Sequence, residues 1–560
     1  MRTKIILSGL IFILHTLSAQ DLDNLKNVKP LTFNGGLNLQ TGFYSMQGAK
    51  ARQPQFTYVV SGSPVLNIYG VVLPFSFTFS NYQRDFRQPF NQFGLSPTYK
   101  WVTLHLGYRN ISYSQFGMAG YTLLGAGIEL KPKKFRFAFL YGRSQKAVAD
   151  DTTKTITNNL NDINYPAYKR MLTVAKIGYG TENNFFDLHF LQGKDDSTSL
   201  PFTPITTQVL PAKNQVLGAT NKFSFFKRRI VWQAEAAVSA YTRDIRFESL
   251  DLGNQNATAF IGANISTQVN YAYEAQLNYN EPGFGIGAKY RKVTPDYKSM
   301  GAYYFQTDFE QMLGNIRFNL IKNRVRIGAS GGVQNDNLLD KKIATTQRKI
   351  YNANVSFNPN AKFGLDLSYA NFGTSQRAGT RNLSDTATIN QINNSINIVP
   401  RYVIANEKRV ISCIGIFGRQ ALDDRNRFTK DLTQVEMMFA NLIFTRSGVQ
   451  KRISFTTGLN YSTSKSLVGT IGLVGVMGGV SKSWKEDKIT NDFNASINAS
   501  TFNNEQNGYV GNLQYTIGWK VAKQHTVSMM LNGLFNESKN ILAGGSFQEY
   551  FVRMNYGFTF

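Results

Sequence analysis

The chain has 560 residues, 13% of them aromatic and only 17% charged, and 61 Lys and Arg against 35 Asp and Glu give a formal charge of +26. Soluble proteins carry about 25% charged residues, so this chain is unusually poor in charge. Its mean hydropathy of −0.26 nevertheless excludes a bundle of transmembrane helices. The single cysteine, Cys413, excludes an internal disulfide framework.

The first residues have the form of a secretory signal. Arg2 and Lys4 precede the apolar run "IILSGLIFILHTL", and "LSA" before Gln20 offers a cleavage site after small Ala19. The expected divisions are a signal peptide over 1–19, a short periplasmic segment over 20–36 and one large domain over 37–560. An exported basic chain meets anionic lipid, cell-wall polymer or an acidic partner rather than nucleic acid.

From residue 37 onward the pattern has period two. The region 56–112 reads as strands with a tight turn at Lys100–Trp101. "KFRFAFLYG" and "NFFDLHFLQG" follow with alternating faces. In "VNYAYEAQLNYN", Val269, Tyr271, Tyr273, Ala275, Leu277 and Tyr279 share one face, and Asn270, Glu274, Gln276, Asn278 and Asn280 the other. After the turn "EPG", "FGIGAKYR" resumes the alternation, and "FGLDLSYANFG", "NDFNASINAS" and "NLQYTIGW" repeat it. The last segment places Tyr550, Val552, Met554, Tyr556, Phe558 and Phe560 on one face.

Connections alternate in length. Tight ones fall at 131–134, 181–184, 227–229, 281–283, 322–323, 359–361, 406–408, 485–487 and 522–523. Longer polar loops lie near 145–166, 194–213, 244–262, 294–302, 336–346, 373–387, 420–431 and 536–546. The count comes to about 26 strands (24–26), each long enough to cross a membrane at a tilt. So many long strands with aromatic faces point to closure, because only closure removes every edge. The expected fold is all-β: a single large antiparallel up-and-down transmembrane barrel with short periplasmic turns and long extracellular loops.

On these features residues 37–560 resemble the outer-membrane β-barrel proteins of Gram-negative bacteria. In that family the last strand ends on an aromatic residue that the barrel-assembly machinery reads. Tyr550, Val552, Met554, Tyr556, Phe558 and Phe560 fit that pattern. The resemblance implies that machinery as a partner during biogenesis, and membrane lipid and lipopolysaccharide as surroundings. The stretch "QPFNQFGLSPTYKWVTLHLGYRNISYS" looks like segments of outer-membrane proteins of the Bacteroidota, and implies no activity.

Signs of catalysis are sparse. Beyond the signal the histidines are His105, His189 and His525, and Cys413 has no partner with metal-ligand spacing. A Ser–His hydrolase is imaginable, but these residues read more simply as polar lumen groups. No phosphate-binding Gly-loop or dinucleotide fingerprint appears, so neither enzyme activity nor a cofactor is expected. Alternation turns Arg109, Arg136, Asp187, His189, Glu235, Glu274, Lys289, Arg291, Arg317, Asp366, Asp492 and Arg553 toward the lumen. This wall of mixed sign suits a wet pore with mild anion preference, or cross-lumen salt bridges.

A barrel this wide needs something in its lumen. The expected filling is inward-folded loops or a partner protein. Charge is also segregated. Tight turns are basic at Lys131, Lys133, Lys134, Lys227, Arg228, Arg229, Lys408, Arg409, Lys451 and Arg452. Long loops carry the acidic pairs Asp150–Asp151, Asp195–Asp196 and Asp423–Asp424. A basic ring at the inner rim would attract anionic headgroups or an acidic periplasmic partner. Acidic loop pairs would bridge cations between lipopolysaccharide phosphates. The function expected first is a channel or transport protein. The alternative is a non-conducting barrel subunit of an envelope complex for secretion, surface export or assembly.

Overall fold

Alternation drives the chain into strands because each two-residue step returns a side chain to the same face of a sheet. The computed structural model describes residues 30–81, 92–149, 166–200, 209–251, 262–303, 306–378, 388–539 and 545–560. The signal peptide and the pair Asp150–Asp151 lie outside the described residues.

In order, the strands are β1 (Leu31–Asn34 and Gly36–Gln47), β2 (Phe56–Gly62 and Val65–Ile68), β3 (Val71–Ser80), β4 (Gln92–Leu95 and Thr98–Tyr99), β5 (Val102–Ile111), β6 (Tyr121–Leu130), β7 (Phe135–Gln145), β8 (Lys169–Gly180) and β9 (Phe185–Asp196). Then come β10 (Lys213–Phe225), β11 (Ile230–Thr242), β12 (Thr267–Glu281), β13 (Phe284–Val293), β14 (Phe309–Leu320), β15 (Val325–Asp336), β16 (Ala344–Phe357), β17 (Phe363–Ala378) and β18 (Asn390–Ala405). The last are β19 (Arg409–Asp424), β20 (Val435–Gly448), β21 (Ile453–Ser466), β22 (Gly469–Trp484), β23 (Ile489–Phe502), β24 (Glu505–Ala522), β25 (His525–Ser538) and β26 (Phe547–Thr559). One helical turn, Lys430–Thr433, is the only helix among the described residues.

These 26 strands form one antiparallel barrel in which neighbours in sequence are neighbours in the sheet. It closes where β26 pairs with β1, in register from Gly36 opposite Thr559 to Gln47 opposite Gln548. Closure leaves no row of unpaired donors, which in hydrocarbon would cost several kcal/mol per group. β1 and β2 are each interrupted at one facing point. Gly35 has φ 142°, and a Cβ there would lie 2.6 Å from Pro64 Cα, so only glycine fits against the proline that breaks the ladder. The sheet thus begins at Leu31, within the segment 20–36 expected to precede it.

The outer face is a belt of apolar and aromatic side chains. Tyr141 (52% exposed), Ile177, Leu217, Tyr271, Leu459 and Val474 all point away from the lumen. Tight turns lie at one end, where the sequence placed them, including that after Tyr99. Several force ordinary residues into the left-handed region: Phe226, Lys227 and Arg228 have φ of 51°, 56° and 69°. Long connections lie at the other end, with two exceptions. β21–β22 and β23–β24 are joined by the two-residue turns Leu467–Val468 and Asn503–Asn504, and the latter has both φ positive, as a tight hairpin requires.

Strand length is uneven around the barrel. β5 and β6 have 10 residues each, whereas β24 has 18. The largest buried cluster lies inside the barrel, on the inner face of β6 to β14.

Candidate functional site

Two loops build this internal core. The first joins β5 to β6 across 112–120, in the sequence "SYSQFGMAG". Its backbone doubles back, with Tyr113 N–H donating to Met118 O at 3.0 Å, and Ser114 Oγ accepts from Gly117 N–H at 2.8 Å. The second follows β13, through "TPDYKSMGA". Asp296 turns it with φ 56°, and Tyr297 N–H returns to Thr294 O at 3.4 Å.

The loops lock onto each other. Tyr297 Oη donates to Phe116 O at 2.8 Å, Ser299 Oγ to Gly117 O at 2.5 Å, and Ala119 N–H to Gly301 O at 2.9 Å. Both also bind the wall. Glu235 on β11 accepts from Ser114 Oγ at 2.5 Å, Phe116 N–H at 3.0 Å and Gln115 N–H at 3.3 Å. Asn214 on β10 accepts from Met300 N–H at 3.0 Å and donates to Lys298 O at 3.3 Å, and Ser239 Oγ donates to Lys298 O at 2.6 Å.

Phe116, Met118, Tyr297 and Met300 are buried against wall residues such as Leu140, Leu172, Val174, Leu191 and Val216. Fully burying such side chains contributes about 1.5–3 kcal/mol each. Burial pushes the hydroxyl pKa of Tyr297 well above the ordinary phenolic range. Tyr113 is raised likewise, by burial and by Glu129, to which its hydroxyl donates at 2.6 Å.

Around this plug the wall is charged and largely self-neutralised. Arg136 Nε and Nη2 grip Asp187 at 2.7 and 3.0 Å, and Lys176 adds a contact at 3.6 Å. Glu274 meets Lys289 at 2.8 Å and Arg291 at 3.7 Å, and the Arg291 guanidinium lies 5.2 Å from the Phe116 ring centroid. His105 bridges Ser96 at 2.9 Å and Glu129 at 3.3 Å. His189 is 3% exposed, and neither ring nitrogen has a hydrogen-bond partner among the described residues.

The remaining inward-predicted residues are spread around the barrel. Arg109 donates to Ser76 Oγ at 3.2 Å and Pro74 O at 3.4 Å. Asp366 accepts from Arg401 at 2.9 Å and Ser356 Oγ at 2.5 Å. Arg317 stands in register with Gly285 and Gly328, and Asp492 with Ser481 and Thr516. Arg553 lies 5.0 Å from the Phe551 ring centroid. Thus Arg136, Asp187, Glu235, Glu274, Lys289 and Arg291 gather beneath the plug, and Arg109, Arg317, Asp366, Asp492 and Arg553 do not.

Two expected acidic loop pairs need correction. Strand alternation runs on to Asp196 and Asp424, which turns Asp195 and Asp424 inward. Asp195 is buried and held by Arg170 at 2.7 Å. Asp424, also buried, accepts from Thr429 Oγ1 at 2.6 Å and Thr433 Oγ1 at 2.5 Å, and so anchors the helical turn. Neither is free to bridge phosphates in solvent.

At the tight-turn end Lys131, Lys133, Lys134, Lys227, Arg228, Arg229, Lys408, Arg409, Lys451 and Arg452 stand at or beside turns. Three of them form local ion pairs: Lys131 with Glu129 at 2.8 Å, Arg229 with Glu281 at 3.1 Å and Arg452 with Asp487 at 3.2 Å. At closure, Phe560 exchanges two backbone hydrogen bonds with Gly35 at 3.1 Å each, and its ring stacks on Phe33 at 4.1 Å.

The plug residues Ser114, Phe116, Tyr297 and Ser299, and the wall residue Asn214 that holds them, are not among those the sequence pointed to. Their signal was faint but present: Tyr113, Phe116 and Met118 are too apolar for a loop that faces water.

Fold and site define a closed antiparallel barrel with an apolar outer belt and a lumen partly filled by its own loops. No protein-family description matches the chain, and no curated protein matches it. Among solved structures it is similar to OpdQ of Pseudomonas aeruginosa, with 10% identity and a TM-score of 0.35 over 66% of this chain and 97% of that one. It is also similar to the FrpB iron transporter of Neisseria meningitidis, with 11% identity and a TM-score of 0.35 over 96% and 82%. A third is BauA, the ferric preacinetobactin receptor of Acinetobacter baumannii, with 9% identity and a TM-score of 0.35 over 94% and 81%. Likenesses this loose carry no argument about activity.

Proposed function

We propose that this protein is an integral outer-membrane barrel acting as a channel or transport protein, narrowed on one side of its lumen by the plug of loops 112–120 and 294–303. One observation carries the reading. The same strands present an apolar belt outward and polar or charged groups inward, the arrangement of a wall between lipid and water.

On this reading the tight turns face the periplasm and the loops face outside. Lipid and lipopolysaccharide surround the belt, residues 1–19 are removed on export, and the barrel-assembly machinery recognises β26. The basic turns then form a periplasmic rim suited to anionic headgroups or an acidic protein. Planar-bilayer recording of the purified protein tests the proposal. Stable current steps are expected. Silence together with a co-purifying envelope partner would refute it in favour of a scaffold.

A further inference from the structure

Two facing stretches of the inner wall differ in kind. Beneath the plug, the wall from β6 to β14 sets charged and apolar residues among polar ones such as Asn214 and Ser239, and much of it is buried. From β20 to β25 its inner positions carry charge at Asp492, at Lys520 beside the tight turns and at Glu505 beside the loop end. The rest are mainly Asn, Gln, Ser, Thr and Gly, with apolar side chains such as Phe439, Ile443, Leu473 and Met530 between them, and most remain partly exposed.

Bonds across strands confirm that these polar side chains share one face. Ser454 Oγ donates to Ser447 Oγ at 2.8 Å, Thr445 and Thr456 hydroxyls meet at 3.2 Å, and Asn532 donates to Asn512 at 3.2 Å. Asn460 donates to Asn498 across Gly475, where a Cβ would lie 2.2 Å from Asn498 Oδ1. Glycine at that point lets the two amides lie flat along the wall.

We propose that solute passes along this neutral wall, and that the solutes served are uncharged and hydroxyl-rich, of the saccharide class. The inference rests on the channel reading above. An amide offers two donors and two acceptor lone pairs, and a hydroxyl one donor and two, so cross-strand bonds use only part of the capacity. A sugar exchanges water for these groups without desolvating a charge. An ion finds almost no counter-charge here. Opposite, Asp187, Asp195 and Glu274 are already paired with Arg136, Arg170 and Lys289. Along this wall hydrogen bonding and size decide passage, and the inward Arg553 on the adjoining β26 adds only a mild anion preference.

The test uses the full chain in liposomes and planar bilayers, with glucose and raffinose as neutral probes and gluconate and glucosamine as charged ones. Expected are faster swelling in glucose than in either charged probe, blocking of the current by raffinose, and a potassium-to-chloride permeability ratio within about twofold of unity. The triple variant Asn460→Asp, Asn494→Asp, Asn498→Asp, checked for folding by heat-modifiable migration, is expected to become cation-selective by about fivefold or more. Selectivity of about tenfold in the unaltered protein overturns the proposal. So does a folded triple variant with unchanged reversal potential, since the route then lies elsewhere. Current with no preference for neutral sugars overturns the solute class alone. Absence of both current and swelling overturns the channel reading itself, and this proposal with it.

Discussion

Glu235 is the pin of the plug, and removing it makes the sharpest test of the site. Its carboxylate accepts three hydrogen bonds from the 112–120 loop, at 2.5, 3.0 and 3.3 Å. A hydrogen bond to a charged group is worth about 1.5–3 kcal/mol, and bonds within one network do not simply add. Glu235→Ala removes all three and leaves the Ser114, Gln115 and Phe116 donors unmet, a net loss of about 3–5 kcal/mol. At about 1.4 kcal/mol per factor of ten, the loop-released population rises roughly 100- to 4,000-fold. Glu235→Gln keeps one oxygen but turns an NH2 group toward a donor, so it is expected to fall between. Two assays read the result. Single-channel conductance should rise. Maleimide labelling of Gln115→Cys, in a Cys413→Ser background because Cys413 is exposed, should accelerate. Unchanged conductance and labelling in a folded Glu235→Ala variant would refute the plug.

Burial raises the pKa of Tyr297, so its contribution is complete below the ordinary phenolic pKa of about 10 and is lost as pH climbs above it. Labelling of Gln115→Cys, taken relative to a denatured control, should rise on going above pH ~10, and Tyr297→Phe should lessen that rise, with the remainder due to Tyr113, while costing about 1 kcal/mol for the lost bond to Phe116 O. Neutralising Lys131, Lys133, Lys134, Lys227, Arg228, Arg229, Lys408 and Arg409 to Gln should weaken binding to anionic vesicles and lose acidic partners in pull-downs; unchanged binding and partners would remove the rim's role. Deleting Phe560 forfeits its two hydrogen bonds to Gly35 and its stack on Phe33, so less folded barrel should reach the membrane fraction; wild-type levels would count against it. Arg228→Gly relieves a left-handed residue in the 226–229 turn and should stabilise the barrel by about 0.5–1 kcal/mol in urea titrations, with a loss of stability as the contrary result.

Period-two alternation by itself determined the strands, the tight turns of one end and the sense of most strand side chains. A strand reports its two faces residue by residue, so Arg136 and Phe137 were assigned opposite sides without coordinates. It determined closure as well, since 26 long strands with aromatic faces leave no other way to pair every backbone group. Only tertiary structure decided what fills the lumen. Ser114 meets Glu235 across 121 residues, and Tyr297 meets Phe116 across 181. Loop conformation has no period to read, and such contacts exist only once closure brings distant strands around a common space. The same reason explains Asp195 and Asp424. Their sequence looks like solvated loop, but the strands carry their alternation on to Asp196 and Asp424 and turn each carboxylate onto a partner, Arg170 for Asp195 and the Thr429 and Thr433 hydroxyls for Asp424.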